Sequence, residues 1–323
     1  MPTAIEIRQN GGPEVLQVAE VDVGSPGPRQ VLVDVAAAGV NYIDTYQRSG
    51  AYPVPLPYVP GLEGAGTVSA VGSDVTEVAV GDRVAWQGSP GGYAQQALVP
   101  ADIVVRVPDG VSDETAAATL LQGITAHYLV NSTHPVAEGE TVLVHAAAGG
   151  VGLLLVQLAK ARGGRVIGTV STAEKEELAR AAGADEVIRY TEEDFAAAAR
   201  SLTGGEGVAV VYDGVGKATY EGSLTSLRRR GLLALFGAAS GPVPPIDPQR
   251  LNVGGSLFLT RPNSYDHVTT RAELDWRAGE LFDAIAKGTL TIRIGGRYPL
   301  AEARRAHEDL QGRRTTGKLL LLP

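Results

Sequence analysis

Two hydrophobic rhythms divide the chain. Up to about residue 120 the apolar positions fall in short β-prone runs, "VLVDVAAAGV" (31–40), "AGTVSAVG" (65–72) and "DRVAWQG" (82–88), each bounded by glycine, proline or aspartate. Such runs predict strands joined by turns. "AYPVPLPYVPGLEG" (51–64) holds too much proline for a central strand or a helix, so it predicts an ordered loop, either a connector or the rim of a pocket. Beyond residue 120, strand-length apolar runs alternate with helical spacing: "TVLVHAA" (141–147), then "GVGLLLVQLAKARG" (150–163), "RVIGTV" (165–170), and "TAEKEELARAAG" (172–183) with its closing glycine. "EVIRY" (186–190), "VAVVYDGVG" (208–216), "GLLALFG" (231–237) and "GSLFLT" (255–260) continue the series. Strands alternating with helices predict an α/β fold, a Rossmann doubly wound sheet of six parallel strands covered on both faces, with a ligand at the carboxyl ends of its central strands. After residue 265 a long helical stretch (272–288), a strand-like "IRIGGRYPL" (292–300), a helix (301–312) and "GKLLLLP" (317–323) are expected to return to the first domain. The expected division is 1–121, 122–264 and 265–323.

Composition narrows the chemistry. The 323 residues suit two domains and carry a formal net charge of −8 with no basic block, which argues against a nucleic-acid partner. No apolar run is long enough to span a membrane, and "MPTAIEIRQN" does not read as a signal peptide, so a cytoplasmic protein is expected. Cysteine is absent, which removes thiolate nucleophiles, disulfides and every cysteine-based metal site. The five histidines, at 127, 134, 145, 267 and 307, show no metal-ligand spacing, so no metal is expected.

"HAAAGGVG" (145–152) follows a predicted strand and opens a predicted helix, the context in which a glycine pattern reads as a dinucleotide fingerprint. Its three positions fall on Ala147, Gly149 and Gly152. Gly149 lets the backbone approach a pyrophosphate, Gly152 lets the helix lie close on the strand, and the helix start supplies N–H groups and a favourable dipole. The following strand ends in Ser171 and Thr172, with Lys175 one turn on. Hydroxyls and a cation suit a 2′-phosphate where an acid would repel it, so NADPH is expected over NADH. Glu174 is expected to point away at the helix start, and Tyr190 to cover the adenosine.

These residues resemble the quinone oxidoreductase (zeta-crystallin-like) family of the medium-chain dehydrogenase/reductase superfamily. "GETVLVHAAAGGVGLLLVQLAK" (139–160) carries the likeness at Gly139, Glu140, Leu143, Ala147, Ala148, Gly149, Gly150, Gly152, Gln157 and Lys160, and "GGPEVLQ" (11–17), "NYIDTYQRSG" (41–50), "RRRGLLALFGAASG" (228–241), "TRPN" (260–263) and "YPLAEARRAHE" (298–308) extend it. The likeness implies that the first domain is a GroES-like, mostly-β catalytic domain, with the site in a cleft beside the Rossmann domain. In zinc alcohol dehydrogenases of this superfamily two thiolates and an imidazole hold the catalytic metal. Those places fall on Asn41, Leu62 and Gln122 here, two amides and an alkyl group that are poor zinc donors. Without a Lewis acid, the remaining chemistry is hydride transfer to an acceptor that tolerates the charge: a quinone, or an α,β-unsaturated carbonyl.

The same likeness places Asn41, Tyr42, Asp44 and Tyr46 near the nicotinamide, with Tyr46 the candidate donor, Asn41 holding ribose or substrate, and Tyr52 stacking on a flat ring. It puts Thr125 and Tyr128 near ribose and nicotinamide, and Gly150 and Val151 against the pyrophosphate. Phe236, Gly237, Ala239, Ser240 and Gly241 would line the nicotinamide pocket, Leu259, Thr260 and Arg261 would hold its carboxamide edge, and Arg313 would reach a phosphate. The implied activity is zinc-independent NADPH:quinone reduction. Enone or alkenal reduction is the alternative, and a non-enzymatic, RNA-binding or crystallin-like role a third reading. "GSLFLT", the last strand of the parallel sheet, leaves an apolar edge open, so a homodimer is expected.

Overall fold

Eleven consecutive residues, Gln30–Val40, form the central strand of the first unit, alternating in burial at its start and buried throughout its last four residues. The computed structural model describes residues 1–323, which divide into one unit of residues 1–124 with 268–323 and a second of residues 125–267.

In the first unit a small hairpin, β1 (Thr3–Glu6) with β2 (Gln17–Glu20), precedes β3 (Gln30–Val40), α1 (Tyr42–Ser49), β4 (Glu63–Val71), β5 (Arg83–Gln87), β6 (Gln96–Pro100), β7 (Val104–Arg106) and α2 (Asp113–Ala117), and α3 (Leu120–Tyr128) runs from the first unit into the second. The second unit holds β8 (Thr141–Val144), α4 (Gly150–Ala161), β9 (Arg165–Val170), α5 (Ala173–Ala181), β10 (Glu186–Arg189), α6 (Phe195–Leu202), β11 (Val208–Asp213), α7 (Tyr220–Ser226), β12 (Leu227–Leu235), α8 (Pro248–Val253) and β13 (Phe258–Thr260). The chain then adds α9 (Arg271–Ala286), β14 (Ile294–Pro299), α10 (Ala303–Gln311) and β15 (Lys318–Leu322) to the first unit.

Strands β14-β15-β3-β4-β5-β7 form a sheet in that order, with β6 also on β3. The tail thus supplies an internal strand: β15 lies antiparallel to β3 with Leu320 opposite Gly39. Val31, Val33, Val84, Trp86, Val99 and Leu321 build the core on this sheet. In the second unit the order β10-β9-β8-β11-β12-β13, all parallel, is that of a Rossmann sheet, and the predicted six strands are all present. Its central strands β8 and β11 read as nearly unbroken apolar runs, as expected of a parallel sheet covered on both faces.

Three helices lie where the sequence suggested only strands and turns. α1 buries Asp44, Thr45 and Arg48 rather than its apolar side and owes its start to Asp44, whose Oδ2 accepts the Asn41 backbone N–H at 2.8 Å, while Gly50 ends it at φ 82°. α2 begins at a Ser112 cap. α3 shows no polar face because Leu120, Ile124, Ala126 and Tyr128 are all buried.

Candidate functional site

The turn after β8 departs from the common fingerprint. Ala146, not a glycine, takes the left-handed conformation at φ 49°, and it closes the turn by accepting the Gly149 N–H at 2.8 Å. Gly149 then stands at the N-cap of α4 and supplies no side-chain cap, whereas α5, α6 and α8 are capped by Thr172, Asp194 and Asp247. The first bond within α4 runs from Leu153 N to Gly149 O at 2.9 Å. The amides of Gly150, Val151 and Gly152 therefore open outward at a bare helix start, a natural seat for a phosphate. A Cβ on Gly152 would overlap the Ala146 carbonyl oxygen, while one on Gly149 would stand 3.1 Å from it. Gly152 thus serves the fold, and Gly149 leaves its space to a ligand.

At the tip of β9, Thr172 caps α5 by accepting the Lys175 N–H at 3.3 Å, and the Ser171 carbonyl accepts from Thr191 Oγ1 at 3.0 Å. Lys175 is half-buried in the first turn of α5, Glu174 beside it is exposed, and Tyr190 keeps 41% of its surface in solvent. Tyr190 is thus open to stacking.

Beneath this surface runs a buried polar chain that the sequence did not announce. His145 Nδ1 lies 2.8 Å from Thr169 Oγ1 and its Nε2 2.9 Å from Ser223 Oγ, which in turn donates to Asp213 Oδ2 at 2.8 Å. Asp213 Oδ1 accepts the N–H groups of Val215 and Gly216 at 2.8 and 2.9 Å, and Thr219 Oγ1 also donates to the carboxylate. Because the carboxylate accepts only, Ser223 must point its proton at Asp213, so His145 carries hydrogen on Nε2 and accepts from Thr169. Burial holds the His145 imidazole below its usual pKa, with Asp213 opposing. One signal was available: an aspartate ending the apolar run "VAVVYD" is costly unless its oxygens are satisfied.

The loops after β11 and β12 are tied together. Phe236 N donates to Asp213 O, Ala239 N to Gly214 O and Lys217 N to Gly241 O, while the Ser240 hydroxyl bridges Val215 O at 2.7 Å and Ala218 N at 2.9 Å. Gly237 N also donates to Asp213 O, at 3.3 Å. Leu259 and Thr260 sit on β13 opposite Leu233 and Ala234, and Arg261 Nη1 reaches Leu235 O at 3.0 Å. Thr125 is buried, and the Tyr128 ring, 2% exposed, lies flat on His267 at 4.1 Å between centroids.

In the first unit Asn41 and Gln122 converge, with Gln122 Nε2 donating to Asn41 Oδ1 at 3.2 Å. Asn41 Oδ1 also accepts from Lys318 Nζ at 2.7 Å, and its Nδ2 donates to Glu63 Oε2 at 3.0 Å and Gly39 O at 3.3 Å. All four hydrogen-bonding valences of the amide are thus used within the protein, and any ribose or substrate contact must displace one. Glu63, wholly buried, pairs with the ammonium of Lys318 and accepts the Leu121 N–H at 2.7 Å through Oε1.

Asp44 has a different place from the one expected. It is fully buried, with Tyr93 Oη donating to its Oδ2 at 2.9 Å beside the Asn41 N–H, so it anchors α1 and presents no surface to a cofactor. Burial raises its pKa to about 6. His307 Nε2 lies 3.1 Å from the Tyr93 hydroxyl and its Nδ1 3.0 Å from Arg48 Nη1; burial and then Arg48 push its pKa down to about 3. The Tyr42 hydroxyl donates to Leu310 O at 3.0 Å. Tyr46 sits between Tyr42 and Tyr52, centroids 6.4 and 5.2 Å away, and Tyr52 is 42% exposed. Arg313 is exposed in a left-handed turn at φ 55°, its charge near the Tyr42 hydroxyl.

Comparison with known proteins agrees with this geometry. Residues 27–109 match the profile of the alcohol dehydrogenase GroES-like domain, and residues 150–273 that of the zinc-binding dehydrogenases. A quinone oxidoreductase of Pseudomonas aeruginosa is 49% identical over 325 residues, covering the whole of both chains. The chain belongs to the quinone oxidoreductase family of the medium-chain dehydrogenase/reductase superfamily. An Escherichia coli quinone oxidoreductase solved in complex with NADPH superposes with a TM-score of 0.97 at 46% identity, covering 99% of this chain and 100% of that one. A Burkholderia 2-haloacrylate reductase is 45% identical over 100% of this chain and 99% of its own.

The zinc in the second profile's description does not fit the residues of this family member. Asn41, Leu62 and Gln122 offer two amides and an alkyl group, the chain has no cysteine, and no three His, Asp or Glu side chains converge on a metal-sized site. The phosphate turn, by contrast, fits a dinucleotide: a bare helix start, and a glycine whose missing Cβ leaves room.

Proposed function

We propose that this protein reduces quinones with NADPH and without a metal ion. The observation that carries the reading is a nucleotide-ready turn at residues 145–152 in a chain whose metal-ligand places hold amides and leucine, and which is matched end to end by a quinone oxidoreductase. When bound, NADPH supplies a hydride equivalent. The amides of Gly150, Val151 and Gly152 would hold its pyrophosphate, with Gly149 giving room, and Ser171, Thr172 and Lys175 its 2′-phosphate, with Tyr190 over the adenine. The tied loops at 213–219 and 236–241, with Thr125, Tyr128 and the 259–261 backbone, would shape the nicotinamide pocket, and Arg313 would add charge at a phosphate. Tyr46 would donate a hydrogen bond to the acceptor oxygen as negative charge develops there, and Tyr52 would stack on its ring. Asn41 would set the start of α1, and hence the placing of Tyr42 and Tyr46.

A second reading, reduction of an activated carbon–carbon double bond, is favoured by the 45% identical 2-haloacrylate reductase. Steady-state assays with NADPH and NADH across benzoquinone, naphthoquinone, a 2-alkenal and 2-chloroacrylate separate the two. The proposal expects the highest kcat/KM on a quinone with NADPH, unchanged by chelators. A higher value on the alkenal or haloacrylate replaces it with the second reading.

We also propose a homodimer through β13. This strand is the outer edge of the parallel sheet, and its own Phe258 (60% exposed) and Leu259 (36% exposed) show apolar surface. Sedimentation should give a dimer at micromolar concentration and a monomer for Phe258→Glu; a monomeric parent chain refutes it.

A further inference from the structure

A lysine ammonium with 1% exposure is rare, because transfer of a charge out of water is costly unless it is paired and hydrogen-bonded. Lys318 meets that condition with a dedicated set of partners: the Glu63 carboxylate, also buried, and Asn41 Oδ1 at 2.7 Å. The space is built for it. Gly39 lies on β3 beside both groups, and a Cβ there would overlap Glu63 Oε2 and stand 2.7 Å from Lys318 Cε. Glu63 is held from the other side by the Leu121 N–H, in the first turn of α3. The donors around this spot are one carboxylate and the amides of Asn41 and Gln122, with the Leu62 side chain adding none.

We infer that Lys318 is a built-in counter-cation: its ammonium supplies the positive charge that Glu63 needs at the place where zinc-bearing members of the superfamily hold a metal, and it positions Asn41 and the start of α1. At 1% exposure Lys318 offers no surface to a cofactor or an acceptor; it is a positioning residue acting through Asn41, the residue that opens the helix carrying Tyr42 and Tyr46. The charge balance of the site is thereby closed inside the chain, with no cation from outside needed beside the buried Glu63.

The inference has a thermal arm independent of the proposed reaction and a kinetic arm that rests on it. Lys318→Ala leaves a buried carboxylate unpaired and should lower Tm by about 10 °C. Ethylammonium at tens of millimolar should restore part of that loss in Lys318→Ala, more than potassium at equal ionic strength, and should do nothing for the parent chain. Should Lys318→Ala fail to fold, the near-isosteric neutral pair Glu63→Gln with Lys318→Met carries the test, because it removes both charges together. That double variant should be more stable than Lys318→Met alone, yet lower kcat roughly tenfold with the Kd for NADPH unchanged, and Lys318→Arg should recover kcat better than Lys318→Met. A Lys318→Ala protein within 2 °C of the parent Tm (about the resolution of a thermal scan), or a double variant no more stable than Lys318→Met, overturns the counter-cation. Full kcat in the double variant overturns the positioning role. Absence of quinone turnover in the parent chain defeats the proposed function alone and leaves the thermal arm standing.

Discussion

His145 and Asp213 are joined by a single hydroxyl: Ser223 Oγ lies 2.9 Å from His145 Nε2 and 2.8 Å from Asp213 Oδ2. His145 follows β8 and Asp213 ends β11, while Ser223 reaches both from α7, and Asp213 also holds the Val215 and Gly216 amides of the loop tied to residues 236–241. Asp213→Ala strips acceptors from two backbone amides and two hydroxyls at once. It should destabilise the protein by about 3 kcal/mol or more, against about 1–3 kcal/mol for Ser223→Ala. Urea denaturation checks both; an Asp213→Ala cost below that of Ser223→Ala contradicts the hierarchy.

Gly149 and Gly152 should fail in different ways. Gly149 has extended backbone, φ −79° and ψ 172°, and a methyl group there would press only on the Ala146 carbonyl oxygen, tightly at 3.1 Å, so Gly149→Ala should lower Tm much less than Gly152→Ala while weakening NADPH binding at least tenfold. Gly152→Ala collides with the Ala146 carbonyl and should lower Tm as well. Fluorescence titration and thermal melting separate the two, and equal loss of stability in both variants would falsify the assignment of Gly149 to ligand space.

The Rossmann sheet was legible because its central strands β8 and β11 are nearly continuous apolar runs and helical spacing separates the strands, so local signals and tertiary burial agree. Gly149–Gly152 was legible for the same reason: the motif falls between two readable elements. α1 was not, since its start rests on Asp44 and its end on Gly50, and it buries its polar side, Asp44, Thr45 and Arg48, while Tyr42, Ile43 and Tyr46 stay half-exposed, the reverse of the usual helix signal. The pairing of Glu63 with Lys318 spans 255 positions and exists only because β15 inserts beside β3, a topology no local pattern encodes. The family likeness places Asp44 on the cofactor side together with Tyr42 and Tyr46; the helix turn buries Asp44 and leaves the two rings half-exposed, which is invisible without the helix.

Acid should act on the fold through three buried groups, two imidazoles that weaken it and one carboxyl that opposes them. His307 titrates near 3 in the folded protein against about 6.5 when unfolded, so the unfolded chain takes a proton that the folded chain refuses, and stability falls as pH drops below 6.5. His145 acts in the same direction. Asp44 is raised to about 6, so between 6 and about 3.8 the folded chain holds the extra proton and acid favours it. Each group contributes about 1.4 kcal/mol per pH unit within its window. Ordinary carboxylates cancel in comparisons between variants, leaving a clear ordering. From pH 6 to 4.5, stability should fall more steeply in Asp44→Asn than in the parent, and less steeply in His307→Gln. Denaturant titrations at stepped pH measure the slopes, and three equal slopes would refute the assignment.

Tyr46 and Tyr52 are close enough to pack, 5.2 Å between centroids and tilted by 58°, yet the proposed function gives them separate effects. Tyr46→Phe keeps the ring against its neighbours and removes only the hydroxyl. If that hydroxyl donates to the acceptor oxygen, kcat should fall roughly 10- to 100-fold with little change in KM. Tyr52→Ala removes an exposed stacking face and should raise KM for a flat quinone roughly three- to tenfold, with kcat nearly kept. The two acceptor classes sharpen the distinction. A hydroquinone oxyanion is weakly basic and needs modest help, whereas the enolate formed from an enone is more basic and depends more on a donor. Tyr46→Phe should therefore depress alkenal reduction further than quinone reduction, while Tyr52→Ala should spare the small, non-aromatic alkenal. A Tyr46→Phe enzyme with parental kcat on both acceptors would remove Tyr46 as the donor and leave the three-tyrosine cluster with a packing role alone.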